Sequence, residues 1–170
     1  MLFSSSTEQR RRYDTLPSQE LLIREAKESD LPSLIGLFAD DAMGGHGDTT
    51  APSAYSDYLR AFRSIAASSD QTLYAAELAG EIVGTFQTIV VTSLHGRGSS
   101  TMIIESVQTR ADLRGRGIGA AMINFCIEEA KGRGMKMVQL TSNAIRKDAH
   151  RFYERLGFKP THLGFKMTLK

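Results

Sequence analysis

Three glycines fall within five residues, at positions 115, 117 and 119, and arginines occupy positions 114 and 116. Alternating apolar residues precede this run, and a helical pattern of apolar residues begins at Ile118. Glycine has no Cβ and accepts positive φ, so the backbone there can approach a bound anion closely. The first N–H groups of a helix lack intrahelical acceptors and lie at the positive end of its dipole, which favours phosphate. The spacing therefore predicts a pyrophosphate-binding turn, to which the arginines add charge.

Two other phosphate-binding motifs fit this run less well. A Walker loop requires Lys followed by Ser or Thr after its last glycine, whereas Ala120 and Ala121 stand here. A dinucleotide-binding turn accepts the spacing of Gly115, Gly117 and Ala120, but it also requires an acidic residue about 20 positions further on. The next strand pattern, residues 137–141, ends without one.

The run resembles the signature of the GNAT superfamily of acyl-CoA N-acyltransferases, Q/R-x-x-G-x-G/A, which Arg114, Gly117 and Gly119 meet in full. Residues 103–109 are similar to the fourth strand of that family, and residues 149–158 are similar to its fourth helix and following strand. The three segments occur in the family's order and spacing. The resemblance is strong over about residues 101–159 and favours a bacterial-type small-molecule acetyltransferase.

The resemblance implies acetyl-CoA as co-substrate, no metal, and roles for individual residues. Tyr153 holds the position of the family's proton donor to the departing thiolate, and Glu105 lines the cleft as the candidate base for the amine. Structural alternatives stay open, since Tyr153 at helical spacing also suits a core residue and Glu105 also suits a solvated residue or the partner of an arginine. The implied cofactor-binding residues are Val107, Gln108, Thr109, Arg114, Gly115, Arg116, Gly117, Ile118, Gly119, Ala120, Asn143 and Arg146.

One position departs from the family's pattern. Many members have an asparagine seven residues before the tyrosine, where it contacts the pantetheine arm. Here Arg146 stands at that position, and Asn143 lies three residues earlier. We expect Arg146 to reach a phosphate or a pantetheine amide instead. The backbone of residues 107–109 is expected to pair with the pantetheine arm.

The order of strand and helix patterns predicts an α/β fold of the α+β type. The resemblance implies a mixed, mostly antiparallel sheet of six or seven strands, about four flanking helices, and a cleft between strands 4 and 5. Alternation predicts a hairpin around positions 79–81 and a tail strand over 161–169. Asp30 is expected to cap the first helix, and Cys126 is expected in the core.

The composition is typical of one domain, over residues 21–170, preceded by a flexible arm of residues 1–20. The 170 residues are 41% hydrophobic and carry a net charge of +2, which favours neither a nucleic-acid partner nor a membrane partner. A single cysteine excludes an internal disulfide and fits a reducing compartment. There is no apolar run of about 18 residues and no signal-peptide pattern, so we expect a cytoplasmic protein.

These observations predict an acetyl-CoA-dependent N-acetyltransferase that acetylates a primary amine of a small molecule by direct attack on the thioester. Acetylation of peptides or proteins, a non-catalytic acyl-CoA-binding module, DNA binding through the arm, and a homodimer with the tail strand at its contact stay open. The family builds its acceptor site from segments that correspond to about residues 40–58 and 92–100. Asp40, Asp41 and Asp48 there would attract a cationic amine.

Overall fold

The computed structural model describes residues 20–41 and 47–169, so the predicted arm lies outside the described residues except for Glu20. Five strands and four helices longer than one turn lie in these ranges. The strands are β1 Leu21–Glu25, β2 Gln71–Leu78, β3 Glu81–Thr92, β4 Ser100–Thr109 and β5 Met137–Leu140. The helices are α1 Leu31–Ala39, α2 Tyr55–Ala66, α3 Ile118–Gly132 and α4 Lys147–Arg155. Single helical turns occur at Glu28–Asp30, Pro52–Ala54, His95–Gly98 and Ala111–Leu113.

One sheet joins the strands in the order β1-β2-β3-β4-β5. Neighbouring strands are antiparallel except for β4 and β5, which are parallel. The predicted hairpin joins β2 to β3 through Ala79 and Gly80, whose φ angles of 53° and 84° suit a two-residue turn. The mixed, mostly antiparallel sheet with four helices is confirmed, with five described strands where six or seven were predicted.

The predicted tail strand is wrong. Residues 161–169 adopt no regular structure, and all of them are exposed; Phe165, for example, is 90% exposed. No strand follows α4 at Phe158 either. Alternation specifies a strand only where a neighbouring strand supplies hydrogen bonds and an apolar face. Within the described ranges, no strand pairs with the tail.

The core occupies both faces of the sheet. In β2, Tyr74 belongs to a cluster with α3, whereas its neighbour Leu73 packs against a smaller cluster formed by α1 and α2. Successive residues of a strand point to opposite faces, so α3 covers one face and the α1–α2 pair covers the other. Cys126 is completely buried in the α3 cluster, which confirms the prediction for this residue. Among the described helices, none is long and apolar enough to cross a bilayer.

A bulge in β4 directs the second half of this strand. Gln87 pairs with Glu105, but Thr85 pairs with Gln108, so two residues of β4 lie opposite one residue of β3. Ser106, in the bulge, has a φ of 54°. Strand β5 pairs only with residues 101–104 of β4. The second half of β4 therefore has one edge without a described partner strand, and the predicted cleft between β4 and β5 opens there.

Candidate active site

The glycine-rich run forms a tight loop between β4 and α3. The buried side chains of Leu113 and Ile118 anchor the two ends of this loop in the core. Gly115 and Gly117 have φ angles of 76° and 87°, which residues with a Cβ rarely adopt. Residues 114–117 are exposed. The loop is thus fixed at its ends while its backbone faces solvent.

The N-terminus of α3 presents backbone donors. The first bond of the helix runs from the N–H of Ala121 to the carbonyl of Gly117, at 2.9 Å. No described residue accepts a hydrogen bond from the N–H groups of Ile118, Gly119 or Ala120, and no side chain caps the helix. The 15-residue helix adds the positive end of its dipole at the same place. These features are suited to bind a diphosphate.

The two arginines of the loop have different surroundings. The Nε of Arg114 donates a hydrogen bond of 3.2 Å to the carbonyl of Thr109 and ties the loop to the end of β4. Arg116 lies on the exposed part of the loop. Both arginines belong to the exposed loop that precedes α3, and their contribution to anion binding stays a prediction.

Gly119 lies where two helices meet. A Cβ at this position would lie 3.4 Å from Cζ of Phe152 in α4 and 3.8 Å from Oγ1 of Thr109. Glycine therefore lets α4 pack closely against the first turn of α3 and the end of β4. Because α4 also carries Tyr153, this contact fixes the helix of the predicted proton donor close to the end of β4.

Tyr153 combines a packed ring with an unpaired hydroxyl. Its ring makes edge contacts with Phe152 and Phe158, with centroids 5.1 and 5.9 Å apart. The hydroxyl makes no hydrogen bond with any described residue, although a buried phenol usually finds a partner. Burial raises the pKa of Tyr153, the charge of Arg146 lowers it, and the charge of Glu105 raises it further. The predicted acid and the predicted base therefore lie within electrostatic reach of each other.

Glu105 lies at the β4 bulge, directly before Ser106. Its side chain is half-buried and forms no ion pair with a described arginine. The alternative that it serves as the partner of an arginine thus finds no support within the described ranges. The role of Glu105 as the base for the amine stays a prediction.

A largely buried carboxylate connects the walls of the cleft. The sequence did not single it out as a structural link. Asp41 follows α1, and its Oδ2 accepts a hydrogen bond of 2.7 Å from Nε2 of Gln108. Nη2 of Arg146 donates to Oδ1 and Oδ2 of the same carboxylate, at 2.7 and 2.5 Å. The exposed fractions of the two side chains are 14% for Asp41 and 25% for Arg146. Asp41 and Arg146 are 105 positions apart, and no local pattern signals such a pair.

Asn143 lies in the turn before α4. Its Oδ1 accepts a hydrogen bond of 3.1 Å from the N–H of Ile145, and its carbonyl oxygen lies 2.9 Å from Nε2 of His150. These contacts hold the turn together. The cofactor contact expected for Asn143 stays a prediction.

The predicted acceptor region is described only in part, because residues 42–46 lie outside the described ranges. Asp40 is exposed. Asp48 accepts a hydrogen bond of 3.0 Å from the hydroxyl of Tyr58. Near that bond, a cavity of about 330 Å³ opens between α1 and the start of α2. Attraction of a cationic amine by these carboxylates stays a prediction.

Comparison with known proteins gives concordant findings. Residues 31–158 match the family model of the acetyltransferase (GNAT) family. The chain is 36% identical over 90 residues to the aminoalkylphosphonate N-acetyltransferase of Salmonella typhimurium, a match that covers 53% of this chain and 58% of that protein. It therefore spans a little over half of the length of that relative.

Two further relatives match over more of their length. The L-methionine sulfoximine/L-methionine sulfone acetyltransferase of Pseudomonas paraeruginosa is 28% identical over 143 residues, covering 81% of this chain and 79% of that protein. A crystal structure described as a transcriptional regulator from Bacillus halodurans C-125 is 40% identical, with a TM-score of 0.84, and covers 88% of this chain and 99% of that chain. The family match includes the glycine-rich loop, the strand that lines the cleft and α4, and the chain belongs to the acetyltransferase (GNAT) family.

Proposed function

We propose that this protein is an acetyl-CoA-dependent N-acetyltransferase that transfers an acetyl group to the primary amine of a small molecule. The observation that carries the proposal is the row of backbone donors at the start of α3 beside the unpaired edge of β4. A diphosphate suits the donors, and an extended amide-bearing arm suits the strand edge. Coenzyme A contains both chemical features in one molecule.

The chain supplies a set of contacts for this cofactor. The N–H groups of Ile118, Gly119 and Ala120 would hold the diphosphate, with Arg114 and Arg116 adding charge. The backbone of Val107, Gln108 and Thr109 would pair with the pantetheine arm along the free edge of β4. Acetyl-CoA supplies an acetyl group activated as a thioester.

Two side chains would handle the protons of the transfer. A primary amine has a pKa near 10.4, so its neutral form costs about 4 kcal/mol at pH 7 without help. Glu105 would accept that proton, directly or through water. Tyr153 would donate its hydroxyl proton to the departing thiolate, and burial keeps this phenol protonated at neutral pH because it raises the pKa of Tyr153.

The burial of the single cysteine supports transfer by direct attack on the thioester. The only cysteine, Cys126, is completely buried in the core, and burial raises the pKa of its thiol well above the usual range. We therefore expect mass spectrometry to find no covalently acetylated protein after incubation with acetyl-CoA alone.

The names of two relatives support a small-molecule acceptor. One relative acts on aminoalkylphosphonates and the other on L-methionine sulfoximine and L-methionine sulfone, by their names. The main alternative is a peptide or protein amine, which requires a groove open at both ends. A panel of small amines and short peptides, assayed for acetyl-CoA-dependent thiol release with product mass as confirmation, decides between them. Faster turnover of peptides would overturn the small-molecule assignment.

A non-catalytic acyl-CoA-binding module is the second candidate. It is favoured by the 40% identical structure from Bacillus halodurans that is described as a transcriptional regulator. This candidate predicts that coenzyme A binds while no amine in the panel releases thiol. Thiol release above the rate of spontaneous hydrolysis contradicts it.

A further inference from the structure

Arg146 has hydrogen-bonding capacity that the described residues do not use. A guanidinium group carries five N–H donors on three nitrogens. Nη2 of Arg146 is engaged by the carboxylate of Asp41, whereas Nε and Nη1 have no partner among residues 20–41 and 47–169. Three quarters of the side chain is buried. A largely buried cation with free donors is suited to bind an anion in a bidentate manner.

The position of Arg146 indicates which ligand its free N–H donors would meet. Arg146 directly precedes α4 and lies about two helical turns before Tyr153, and its charge acts to lower the pKa of that phenol. Asp41 also holds Gln108 of β4, on the side of the sheet that α1 covers. The free donors of Arg146 thus lie beside the groups that would act on the amine.

We propose that Arg146 binds an acidic group of the acceptor, so that the acceptor is a small zwitterion with a carboxylate or phosphonate one or two carbons from its primary amine. This inference rests on the proposed N-acetyltransferase function and narrows its substrate class. With so short a spacing, the cation that binds the acid must lie within a few ångströms of the reacting nitrogen. The link through Asp41 to Gln108 holds Arg146 beside the half of β4 where the thioester of the cofactor would lie.

The charges around Arg146 complement such a zwitterion. Asp41 and Glu105 are carboxylates that attract the ammonium group as the acceptor enters, and the guanidinium attracts the acid. Asp41 acts as a positioning residue, because both of its carboxylate oxygens accept hydrogen bonds from Nη2 and hold that end of the guanidinium. The two named small-molecule relatives act on compounds that combine an amine with an acidic group.

The test uses matched acceptors that differ only in the acid. One pair is L-methionine sulfone and its carboxamide, and the other is 2-aminoethylphosphonate and its diethyl ester. Comparing each pair between wild type and variant cancels the intrinsic difference in amine basicity. We expect Arg146→Gln to lower kcat/KM for the acidic member by about 10- to 100-fold, as expected for loss of a charged hydrogen bond, and for the neutral member by less than about 3-fold.

Two variants serve as controls. Arg151→Gln removes an arginine of the same helix that is 61% exposed and pairs with Asp148, and it should leave both acceptors unchanged. Arg146→Lys keeps the charge but lacks the planar fork, so it should retain part of the preference for the acidic member. If Arg146→Gln folds poorly, Arg146→Lys still reports whether the planar guanidinium recognises the acid. Active protein is counted by calorimetric titration with coenzyme A.

The role of Asp41 is tested through the ratio of kcat/KM for the acidic acceptor to kcat/KM for the neutral one. We expect Asp41→Ala to lower the preference for the acidic acceptor, and Asp41→Asn, which keeps a hydrogen-bonding oxygen, to lower it less. In the double variant Arg146→Gln/Asp41→Ala, the preference should be no lower than in Arg146→Gln alone. A purely structural role would instead reduce both acceptors equally.

Four outcomes would overturn the inference. Equal losses for the acidic and neutral members would show that Arg146 does not recognise the acid. Weaker binding of coenzyme A by Arg146→Gln, with the preference unchanged, would assign this arginine to the cofactor, as the sequence predicted. Wild-type turnover of neutral amines alone would leave the acetyltransferase function intact and remove the zwitterion, whereas no turnover of any amine would remove the function itself.

Discussion

At the scale of single residues, Tyr153 has a feature that packing does not explain, a hydroxyl in a largely apolar setting that has no partner among residues 20–41 and 47–169. Tyr153→Phe removes only that hydroxyl. We expect kcat to fall by about 100-fold or more, because a general acid contributes 10²- to 10⁴-fold. Coenzyme A affinity and thermal stability should change little, since the hydroxyl makes no hydrogen bond to a described residue. Steady-state kinetics with calorimetry checks this, and an unchanged kcat would return Tyr153 to a structural role.

The direction of the pKa shift of Tyr153 determines how kcat should depend on pH. Burial raises the pKa of Tyr153 above its ordinary value of about 10, so the phenol stays protonated as the pH rises to that value. Tyr153 should therefore cause no decline of kcat between about pH 8 and 10. A decline in that range that Tyr153→Phe abolishes would contradict this assignment.

Some features of the site could be predicted from the sequence, and others could not. Tyr153 and Glu105 could be selected because a motif fixes their places on one helix and one strand, and the charge of Glu105 raises the pKa of Tyr153. The link between Asp41 and Arg146 could not, because it depends on how the end of α1 meets the start of α4. Such side-chain pairing follows from tertiary packing and leaves no periodic trace in the chain.

At the scale of elements, the loop before α3 depends on glycine at a positive φ. Gly117→Ala forces a Cβ into a conformation that costs about 1–2 kcal/mol. We expect lower stability and about 10-fold weaker binding of coenzyme A as the loop shifts to relieve the strain. Urea unfolding and calorimetric titration measure the two effects.

Gly132→Ala is the matched control in the same helix. A Cβ there meets nothing within 4 Å, and the residue has no positive φ. Alanine should leave coenzyme A affinity unchanged and alter stability by no more than about 1 kcal/mol, in the favourable direction. If both substitutions weakened cofactor binding equally, this loop would not be the cofactor site.

Asp30 stands at the start of α1 in a role that differs from the predicted cap. No capping bond from its side chain to α1 forms. Its carboxylate instead accepts hydrogen bonds from Nη1 and Nη2 of Arg24, at 2.7 and 3.0 Å, and from the N–H of Lys27, at 2.7 Å. The residue type was read correctly as an acceptor near a helix start, but Arg24 of β1, six positions earlier, binds its carboxylate.

This network gives stability a defined pH dependence. The Arg24 guanidinium is the main cause that lowers the pKa of Asp30, so the carboxylate stabilises the fold above its unfolded pKa of about 3.9. That contribution is lost as the pH falls through the lower, folded value. We expect Asp30→Asn to cost about 2 kcal/mol at pH 7 and progressively less below pH 4, as measured by urea unfolding.

Asp57→Asn provides the control, because Asp57 and Arg60 form an exposed pair. Its effect should stay within about 0.5 kcal/mol. A cost for Asp30→Asn that does not vary with pH would show that the charge of Asp30 is not what stabilises this corner.

At the scale of the whole molecule, the sequence predicted the mixed sheet, its helices and the cleft, because these follow from periodicity and from the motif order. The prediction of a strand over residues 161–169 is wrong. Residues 161–169 alternate in polarity, yet they are exposed and belong to no strand. Periodicity describes one segment by itself, whereas a strand also requires a free neighbouring edge in the correct place.

Truncation after Pro160 tests the description of this tail. Because residues 161–169 are exposed, their removal should change the free energy of unfolding by no more than about 0.5 kcal/mol. Sedimentation of the full and the shortened chain shows in addition whether the tail supports the homodimer that stayed open from the sequence. A loss of more than about 2 kcal/mol would mean that these apolar side chains are buried in solution, against this chain or a second copy.

The central claim is that coenzyme A is held by main-chain donors at the start of α3 and along the free edge of β4. Titration of isotope-labelled protein with coenzyme A, followed by the backbone amide signals, tests it most directly. The largest shifts should occur at the amides of Ile118, Gly119 and Ala120 and of residues 107–109. Binding that leaves these amides unmoved, or no binding at all, would contradict the account.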